Sequence, residues 1–279
     1  MGANITGWEP EKRTHFDEIV LDYDKIRPEY PGKLFEDILD FIGPGKKNAL
    51  EIGAGTGKAT MPFLEAGYKI TAVEIGANMA EFLREKFKKY TDFNVIVAAF
   101  EDAVLDANSY DLVYAASSFH WVNAEVGCPK AFGILKSGGV FALMRYNFLA
   151  TRDEALKDAI HKIYEKYYFS YYTSNPRAVR YKRTHEEFRN PSEISGNYGF
   201  ADMKNYGFSD VSLKLYDVTR KLDADEYIKL LDTFADHRGL PEENRAALYA
   251  EIKEIILKRG GYIEEDDVFQ LYMGRKPYI

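Results

Sequence analysis

A short hydrophobic run that leads directly into a glycine-rich turn constrains this chain most. Residues 49–52 have the pattern of a buried strand, and Gly53, Gly55 and Gly57 follow at every second position. Glycine lets the backbone approach a ligand closely, and a turn between a strand and a helix presents free N–H groups to a polar or anionic group. The pattern predicts a ligand-binding turn in an α/β fold. A tight turn that binds nothing is the alternative.

The rest of the chain alternates between β-rich runs and helical patterns. Buried strands are predicted over 48–52, 69–75, 93–98, 110–116 and 139–146, with an amphipathic helix over 77–89. Strand, helix and strand in this order imply right-handed crossovers and a parallel, doubly wound sheet. Two later runs, 208–218 and 268–273, bring the expected Rossmann-like, mostly parallel sheet to seven strands.

Composition excludes several classes of protein. The chain has 279 residues and a formal net charge of −7, and its single cysteine is Cys128. A single thiol makes no intrachain disulfide, and no Cys/His cluster has zinc spacing, so we expect a cytoplasmic protein without a structural metal. No window approaches 18 apolar residues, and the N-terminus lacks the apolar stretch of a signal peptide, so we expect no membrane insertion. The acidic balance disfavours duplex nucleic acid as a partner.

The spacing of the glycines and the next acidic residue indicate the kind of ligand. A dinucleotide fingerprint has its third glycine one residue later, where this chain has Lys58, so pyrophosphate binding is disfavoured. Glu74 ends the second predicted strand, where a carboxylate accepts hydrogen bonds from both hydroxyls of a ribose. These two features together predict a nucleoside ligand without a diphosphate.

Several motifs resemble those of one enzyme family. Glu51 to Gly57 together with Glu74 resemble the first two motifs of the class I S-adenosylmethionine-dependent methyltransferases. Residues 15–147 match this family well, and the last third of the chain matches loosely. The other matching segments are Phe100-Glu101-Asp102, 110–113, Phe119-His120-Trp121 and 135–139. Upstream, Tyr23-Asp24 with 27–31 resembles the small-molecule branch that includes trans-aconitate methyltransferase-like proteins.

The resemblance implies a cofactor, S-adenosyl-L-methionine, and a set of residues around it. Glu51 would help to hold the methionine amino group, and Glu74 would take the ribose hydroxyls. Many relatives have an aspartate where this chain has Ala99, so contact to the adenine amino group would come from Glu101, Asp102 or backbone. The remaining cofactor-binding positions are Gly53, Ala54, Gly55, Gly57, Ala115 and Ser117 on the methionine side, and Ile75, Asn78, Met79, Phe100 and Glu101 near the adenine. For Met79, a core position on an apolar helix face is an equal alternative.

Methyl transfer from a sulfonium depends mainly on alignment of donor and acceptor, and only some acceptors need a base. His120 is the best candidate base because it follows the fourth predicted strand, where open α/β sheets bind ligands. A hydrogen-bonded structural histidine is the alternative. Tyr23 and Arg27, whose family position lies over the cofactor carboxylate or the acceptor, complete the catalytic candidates, and an exposed arginine on an N-terminal helix is the alternative for Arg27.

Tyrosines and arginines after residue 150 provide candidates for acceptor binding. Tyr164, Tyr167, Tyr168, Tyr171 and Tyr172 recur at helical spacing, although core packing explains such a stripe more often. A basic run follows, with no acidic residue from 174 to 185, and it would attract a carboxylate or phosphate unless it is a solvated surface. The substrate-binding candidates are Trp121, Arg145, Tyr168, Tyr172, Arg177 and Arg180.

The predicted organisation has four segments. A helical cover (1–43) precedes a cofactor-binding core (44–150), a Tyr-rich helical insertion over the acceptor (151–205) and a completion of the sheet with two helices (206–279). The predicted function is methyl transfer to a small molecule, with a carboxylate as one acceptor. A nucleic-acid or protein methyltransferase, and a non-catalytic nucleoside-binding regulatory protein, are the alternatives. The sequence predicts no oligomeric state.

Overall fold

A seven-stranded sheet organises the protein. The computed structural model describes residues 24–149, 151–172, 188 and 200–278. The strands, in chain order, are β1 Asn48–Ile52, β2 Lys69–Glu74, β3 Phe93–Val97, β4 Tyr110–Ala116, β5 Leu135–Phe148, β6 Ser209–Asp223 and β7 Tyr262–Arg275. The helices are α1 Gly32–Ile42, α2 Thr60–Glu65, α3 Ala77–Lys86, α4 Ala124–Ile134, α5 Glu154–Tyr164, α6 Ala224–Asp232, α7 Ala235–Arg238 and α8 Glu242–Lys258. Further short helical segments lie at Phe119–Trp121, Glu165–Phe169 and Phe200–Tyr206.

The order of the strands defines one edge of the sheet as the place for a ligand. The sheet runs β3-β2-β1-β4-β5-β7-β6, and β1 pairs in parallel with both β2 and β4. The strand order therefore reverses between β1 and β4, and open α/β sheets bind ligands beyond the carboxyl ends of the strands at such a point. The predicted fold class, a mostly parallel Rossmann-like sheet of seven strands, is confirmed.

Strands β1 and β4 begin and end at the predicted residues, whereas β5 is longer than predicted. The segment at Gly138 and Gly139 lies at the start of the predicted strand, which begins at Gly139, whereas β5 already begins at Leu135. Its backbone pairs with that of Lys276: Gly138 N donates to Lys276 O at 3.0 Å, and Lys276 N donates to Gly139 O at 2.8 Å. Pairing with Lys276, which is distant in the sequence, accompanies the extension of β5 beyond its predicted start.

The chain forms two compact units. The core unit contains residues 29–146, 186–216 and 269–279, and β1 to β4 lie entirely within it. One face of its strands carries Leu50, Val113 and Phe141, which pack in a hydrophobic cluster with α4 and with Phe208. Because the strands are buried, their carboxyl ends are held at fixed positions relative to one another.

The helical unit contains residues 1–28, 147–185 and 217–268, and the helices α5 to α8 lie within it. Its core is a separate cluster of apolar side chains, among them Leu156, Leu230 and Ile252. Helix α6 begins at a capping box in which Asp223 accepts from Glu226 N and the Glu226 side chain accepts from Asp223 N. In the described part of the chain, no helix is long and apolar enough to cross a membrane.

Candidate functional site

The glycine turn after β1 has the backbone shape that its sequence predicts. Gly53, Gly55 and Gly57 all have positive φ, at +63°, +56° and +79°. A Cβ at Gly53 would lie 2.6 Å from Ser118 Cβ, and one at Gly57 would lie 2.4 Å from the Phe87 ring. Close packing and left-handed backbone therefore require glycine at both of these positions.

Gly55 differs from the other two glycines because it faces open space. A Cβ at Gly55 would meet no atom within 4 Å. The Gly55 N–H donates to Glu74 Oε2 at 2.8 Å, and the Gly76 N–H donates to Glu74 Oε1 at 2.9 Å. The carboxylate at the end of β2 thus lies directly on the turn that follows β1, and the space in front of Gly55 is available to a ligand.

Glu51 is buried in β1 with only one of its carboxylate oxygens bonded. Thr60 Oγ1 donates to Glu51 Oε2 at 2.5 Å, and Tyr114 Oη donates to the same oxygen at 2.9 Å. Glu51 Oε1 is buried, and no hydrogen-bond partner for it exists among the described residues. The pKa of Glu51 is raised to about 8, mainly by burial; the two hydrogen bonds oppose this rise, and the nearby charge of Glu74 adds to it.

The end of β4 forms the opposite side of this edge of the sheet. Ser117 has φ +54°, its N–H donates to Met144 O at 2.8 Å, and its Oγ accepts from Tyr30 Oη at 2.8 Å. The next hydroxyl, that of Ser118, donates to Ile52 O. Sequence reasoning missed Tyr30 and Ser118 as site residues, although the motif that contains Tyr30 was noted; no local pattern links them to the turn.

Known proteins are similar to this chain in sequence. A methyltransferase domain model matches residues 50–143. An uncharacterized methyltransferase-like protein of Schizosaccharomyces pombe is 30% identical over 240 residues, which cover 85% of this chain and 83% of that protein. The chain belongs to the class I S-adenosylmethionine-dependent methyltransferases.

Solved structures show the same fold at low sequence identity. A structure described as a type II methyltransferase from Anaeromyxobacter dehalogenans has a TM-score of 0.61 and 17% identity, and the match covers 91% of this chain and 99% of that one. The phosphoethanolamine N-methyltransferase 2 of Haemonchus contortus, solved with S-adenosylhomocysteine, has a TM-score of 0.53 and 17% identity over 98% of this chain and 60% of its own. These similarities concern the fold.

The residues at this edge fit the cofactor of the family. S-adenosylmethionine carries an ammonium group and two ribose hydroxyls, all of which can donate hydrogen bonds. The methyltransferase offers a buried carboxylate oxygen without a partner among the described residues, Glu51 Oε1, and an open space in front of Gly55. A buried acceptor left unbonded costs free energy, and a bound donor removes that cost. No group of three or more potential metal ligands exists in the parts of the chain that the structure describes.

The positions expected near the adenine follow β2 and β3. Ile75 is half-buried, Met79 is buried in α3, and Phe100 belongs to the hydrophobic cluster of the core unit. Glu101 Oε1 accepts from Asn123 N at 3.3 Å. Among these, Ile75 and Glu101 have accessible side-chain surface, whereas the packing of Met79 and Phe100 agrees with roles in the core.

His120 and Trp121 lie in the helical turn that follows β4. Their ring centroids are 5.1 Å apart at an interplanar angle of 39°, and both side chains are half-buried. Phe119, the first residue of this turn, is buried in the core cluster and anchors it. The turn therefore places both rings just beyond the carboxyl end of β4, as expected for residues that border a site at this edge.

Arg145 lies in the core unit near the end of β5. It follows Met144, whose carbonyl accepts from Ser117 N, and it is the only buried arginine among the described residues. Its charge opposes the effect of burial on Tyr272, where burial raises the pKa to about 12. A buried guanidinium at this edge is suited to bind a carboxylate.

Three other predicted residues lie in the helical unit and have partners there. Arg27 donates to Thr233 O at 2.5 Å and stacks over the Phe234 ring at 4.4 Å. The hydroxyls of Tyr168 and Tyr172 donate to Asp236, the first to its carboxylate and the second to its backbone oxygen. Tyr23, Arg177 and Arg180 lie outside the described residues.

Proposed function

We propose that this methyltransferase methylates a small molecule that carries a carboxylate. The observation behind this proposal is Arg145, a guanidinium buried beside the strand end that carries Ser117. The planar guanidinium of an arginine can donate two parallel hydrogen bonds to one carboxylate, which fixes the orientation of that carboxylate. The resemblance of residues 23–31 to the small-molecule branch that includes trans-aconitate methyltransferase-like proteins supports the same acceptor class, as does the net charge of −7, which disfavours RNA.

The cofactor would be held by both sides of the edge. Glu51 Oε1 would accept from its amino group, and the Glu74 carboxylate would accept from its ribose hydroxyls while it holds the turn. Gly55 would leave room for its methionine part. When bound, S-adenosylmethionine supplies a methyl group on a positively charged sulfur, which a nucleophile displaces in line.

The residues of the chain would then act mainly by positioning. A carboxylic acid is ionised near neutral pH, so it needs no base to become a nucleophile. Arg145 would orient the acceptor, and the rings of His120 and Trp121 would exclude water from the reacting atoms. An amine or phenol acceptor would instead need His120 to remove a proton.

Product chemistry tests this proposal. The protein is incubated with methyl-labelled S-adenosylmethionine and, separately, small carboxylic acids, small amines and phenols, RNA, and protein. We expect label in a small molecule that releases methanol in mild base, as a methyl ester does. Label that resists mild base would show that the methyl group is on another kind of atom than a carboxylate oxygen. Label in RNA or protein would contradict a small-molecule acceptor. Binding of S-adenosylhomocysteine without any methyl transfer would favour a regulatory protein.

A substitution then tests the role of Arg145. Arg145→Gln should raise the acceptor KM by about tenfold or more, because a charged hydrogen-bond pair is lost, with little change in affinity for S-adenosylhomocysteine. Arg84→Gln is the matched control, since Arg84 is an exposed arginine of the core unit that pairs with Glu81 on the same helix. Equal acceptor KM values in the two variants would show that Arg145 does not bind the acceptor.

A further inference from the structure

Ser117, the residue that directly follows β4, has an unfavourable backbone conformation. Among the described residues other than glycine, positive φ occurs at Asn108, Ser117 and Asp210. Asparagine and aspartate tolerate the left-handed region because their side chains bond to nearby backbone, whereas serine is less suited to it. Such a conformation persists only where surrounding contacts hold it, and it occurs often at functional sites.

Two hydrogen bonds hold Ser117 in this conformation. One joins its N–H to Met144 O, and the other joins its Oγ to Tyr30 Oη, both at 2.8 Å. Tyr30 itself is fixed by ring contacts with Tyr146 and Phe269, at centroid distances of 5.9 and 5.5 Å. Because its ring is packed on these neighbours, the Tyr30 hydroxyl is a rigid donor rather than a mobile one.

The conformation of Ser117 determines where the next residue lies. Ser118 donates to Ile52 O at the end of β1, and its Cβ is so close to Gly53 that a Cβ there would be 2.6 Å away. A different φ at Ser117 would redirect Ser118 and open this contact. The shape of the glycine turn therefore depends on the conformation of Ser117, to which Tyr30 donates a hydrogen bond.

The segment that carries Tyr30 also contacts the other side of the turn. Glu29 pairs with Lys58, which directly follows Gly57. Lys58 is largely buried, with 11% of its side chain exposed, whereas Glu29 is 73% exposed. Neighbouring residues of one segment thus bind both the helix side of the glycine turn and the strand end opposite it.

We propose that Tyr30 is a positioning residue for cofactor binding: its hydroxyl holds Ser117 in the left-handed conformation and so presses Ser118 against the glycine turn. The proposal rests on the cofactor site assigned under the proposed function. It predicts that the Tyr30 hydroxyl contributes to cofactor affinity only when residue 117 is one that adopts positive φ with difficulty. Glycine adopts this conformation unaided, so glycine at position 117 should make the hydroxyl dispensable.

Calorimetry with S-adenosylhomocysteine tests this coupling in four proteins: the wild type, Tyr30→Phe, Ser117→Gly and the double variant. Tyr30→Phe should weaken binding by about tenfold, the effect of one lost hydrogen bond at the site. Whatever the affinity of Ser117→Gly itself, adding Tyr30→Phe in that background should change binding by less than about twofold. Tyr216→Phe is the matched control, since Tyr216 Oη donates to Asp37 Oδ2 at 2.6 Å elsewhere in the core unit.

The outcomes separate this proposal from the one on which it rests. A folded wild-type protein that binds no S-adenosylhomocysteine would contradict the cofactor site itself. If the wild type binds, an unchanged dissociation constant in Tyr30→Phe would overturn the positioning role. The same loss in the Ser117→Gly background would also overturn it, because Tyr30 would then act by another route. Should Tyr30→Phe unfold, Ser117→Ala provides the second measurement: it removes the acceptor of the bond and should also bind about tenfold more weakly.

Discussion

Two sets of buried polar side chains, one in each compact unit, differ in how they are bonded. In the helical unit, the hydroxyls of Tyr164, Tyr168 and Tyr172 each meet a protein group, on His237 or Asp236. In the core unit, Glu51 accepts two hydrogen bonds on one oxygen, while its buried Oε1 has no partner among the described residues. The three tyrosine hydroxyls are bonded within the protein, whereas Glu51 Oε1 is an acceptor that a donor on a ligand can satisfy.

This difference changes how the tyrosine stripe is interpreted. Tyr168 and Tyr172 were candidates for acceptor binding, and their side chains are almost completely buried, with 0% and 1% exposed. Their hydroxyls bond to Asp236, and their rings pack at a centroid distance of 5.0 Å. These contacts agree with the more frequent explanation of such a stripe, a helical core. Their role in acceptor binding stays a prediction.

The largest effect should come from filling the open space at the glycine turn. Gly55→Leu should weaken binding of S-adenosylhomocysteine by about 100-fold or more, because the side chain would occupy the ligand's place. Gly45→Leu is a matched control: Gly45 also has positive φ, at +80°, and open space around it, but it lies before β1. Both variants should lose similar stability from backbone strain. Equal affinities for S-adenosylhomocysteine in the two variants would show that the ligand does not occupy the space at Gly55.

A smaller loss should follow removal of the carboxylate at the end of β2. Glu74→Ala should cost about 1.5–3 kcal/mol of binding free energy for S-adenosylhomocysteine, since charge-assisted hydrogen bonds to the ribose disappear. Asp111→Ala is the control because Asp111 Oδ2 also accepts from two backbone N–H groups, those of Lys47 and Asn48, at the other end of the sheet. Calorimetry measures the affinity of both folded variants for S-adenosylhomocysteine. Similar losses of affinity in the two would mean that Glu74 only stabilises the glycine turn and does not contact the ribose.

A substitution in the helical unit should lower the stability of the protein and leave ligand binding unchanged. Tyr168→Phe removes a hydrogen bond to a buried carboxylate and should lower the free energy of unfolding by about 1–3 kcal/mol. Denaturant unfolding measures this loss. The acceptor KM and the affinity for S-adenosylhomocysteine should stay within about twofold of the wild type. A several-fold rise in acceptor KM with unchanged stability would place this tyrosine in the acceptor site.

The smallest effect concerns pH. Burial raises the pKa of Glu51 from 4.5 to about 8, so between these values the folded protein holds a proton that the unfolded chain has lost. Stability from this group is therefore complete below pH 4.5 and is lost as the pH rises through 8. Glu51→Gln should flatten the fall in unfolding free energy by about 1 kcal/mol per pH unit between pH 6 and 7.

Denaturant titrations at pH 5.5, 6.5 and 7.5 without cofactor measure the Glu51 effect. Glu85→Gln is the control, since Glu85 is an exposed carboxylate that pairs with Lys88 on the surface of the core unit. Parallel pH profiles for the wild type and Glu51→Gln would mean that Glu51 is ionised in the folded protein. The buried Oε1 would then be a charged acceptor even before a ligand arrives.

Local sequence patterns by themselves determined the main strands and the glycine turn. Strands β1 and β4 are short hydrophobic runs whose limits need no distant partner, and glycine at positions 53, 55 and 57 predicts a backbone that other residues adopt poorly. Glu74 was identified because it stands at the end of the second strand, whereas the role of Glu51 was implied by the resemblance to the methyltransferase family. Such features depend on neighbours in the chain, so a single sequence contains them.

Contacts between distant segments were decided only by the tertiary structure. Tyr30 and Ser117 are 87 residues apart, and Tyr168 and Asp236 are 68 apart. Nothing near these residues in the sequence shows that Tyr30 meets a strained serine or that Tyr168 meets a buried carboxylate. The same holds for Glu51, whose two donors come from α2 and β4. A hydrogen bond between side chains depends on which elements the fold brings together, and that depends on packing of the whole chain.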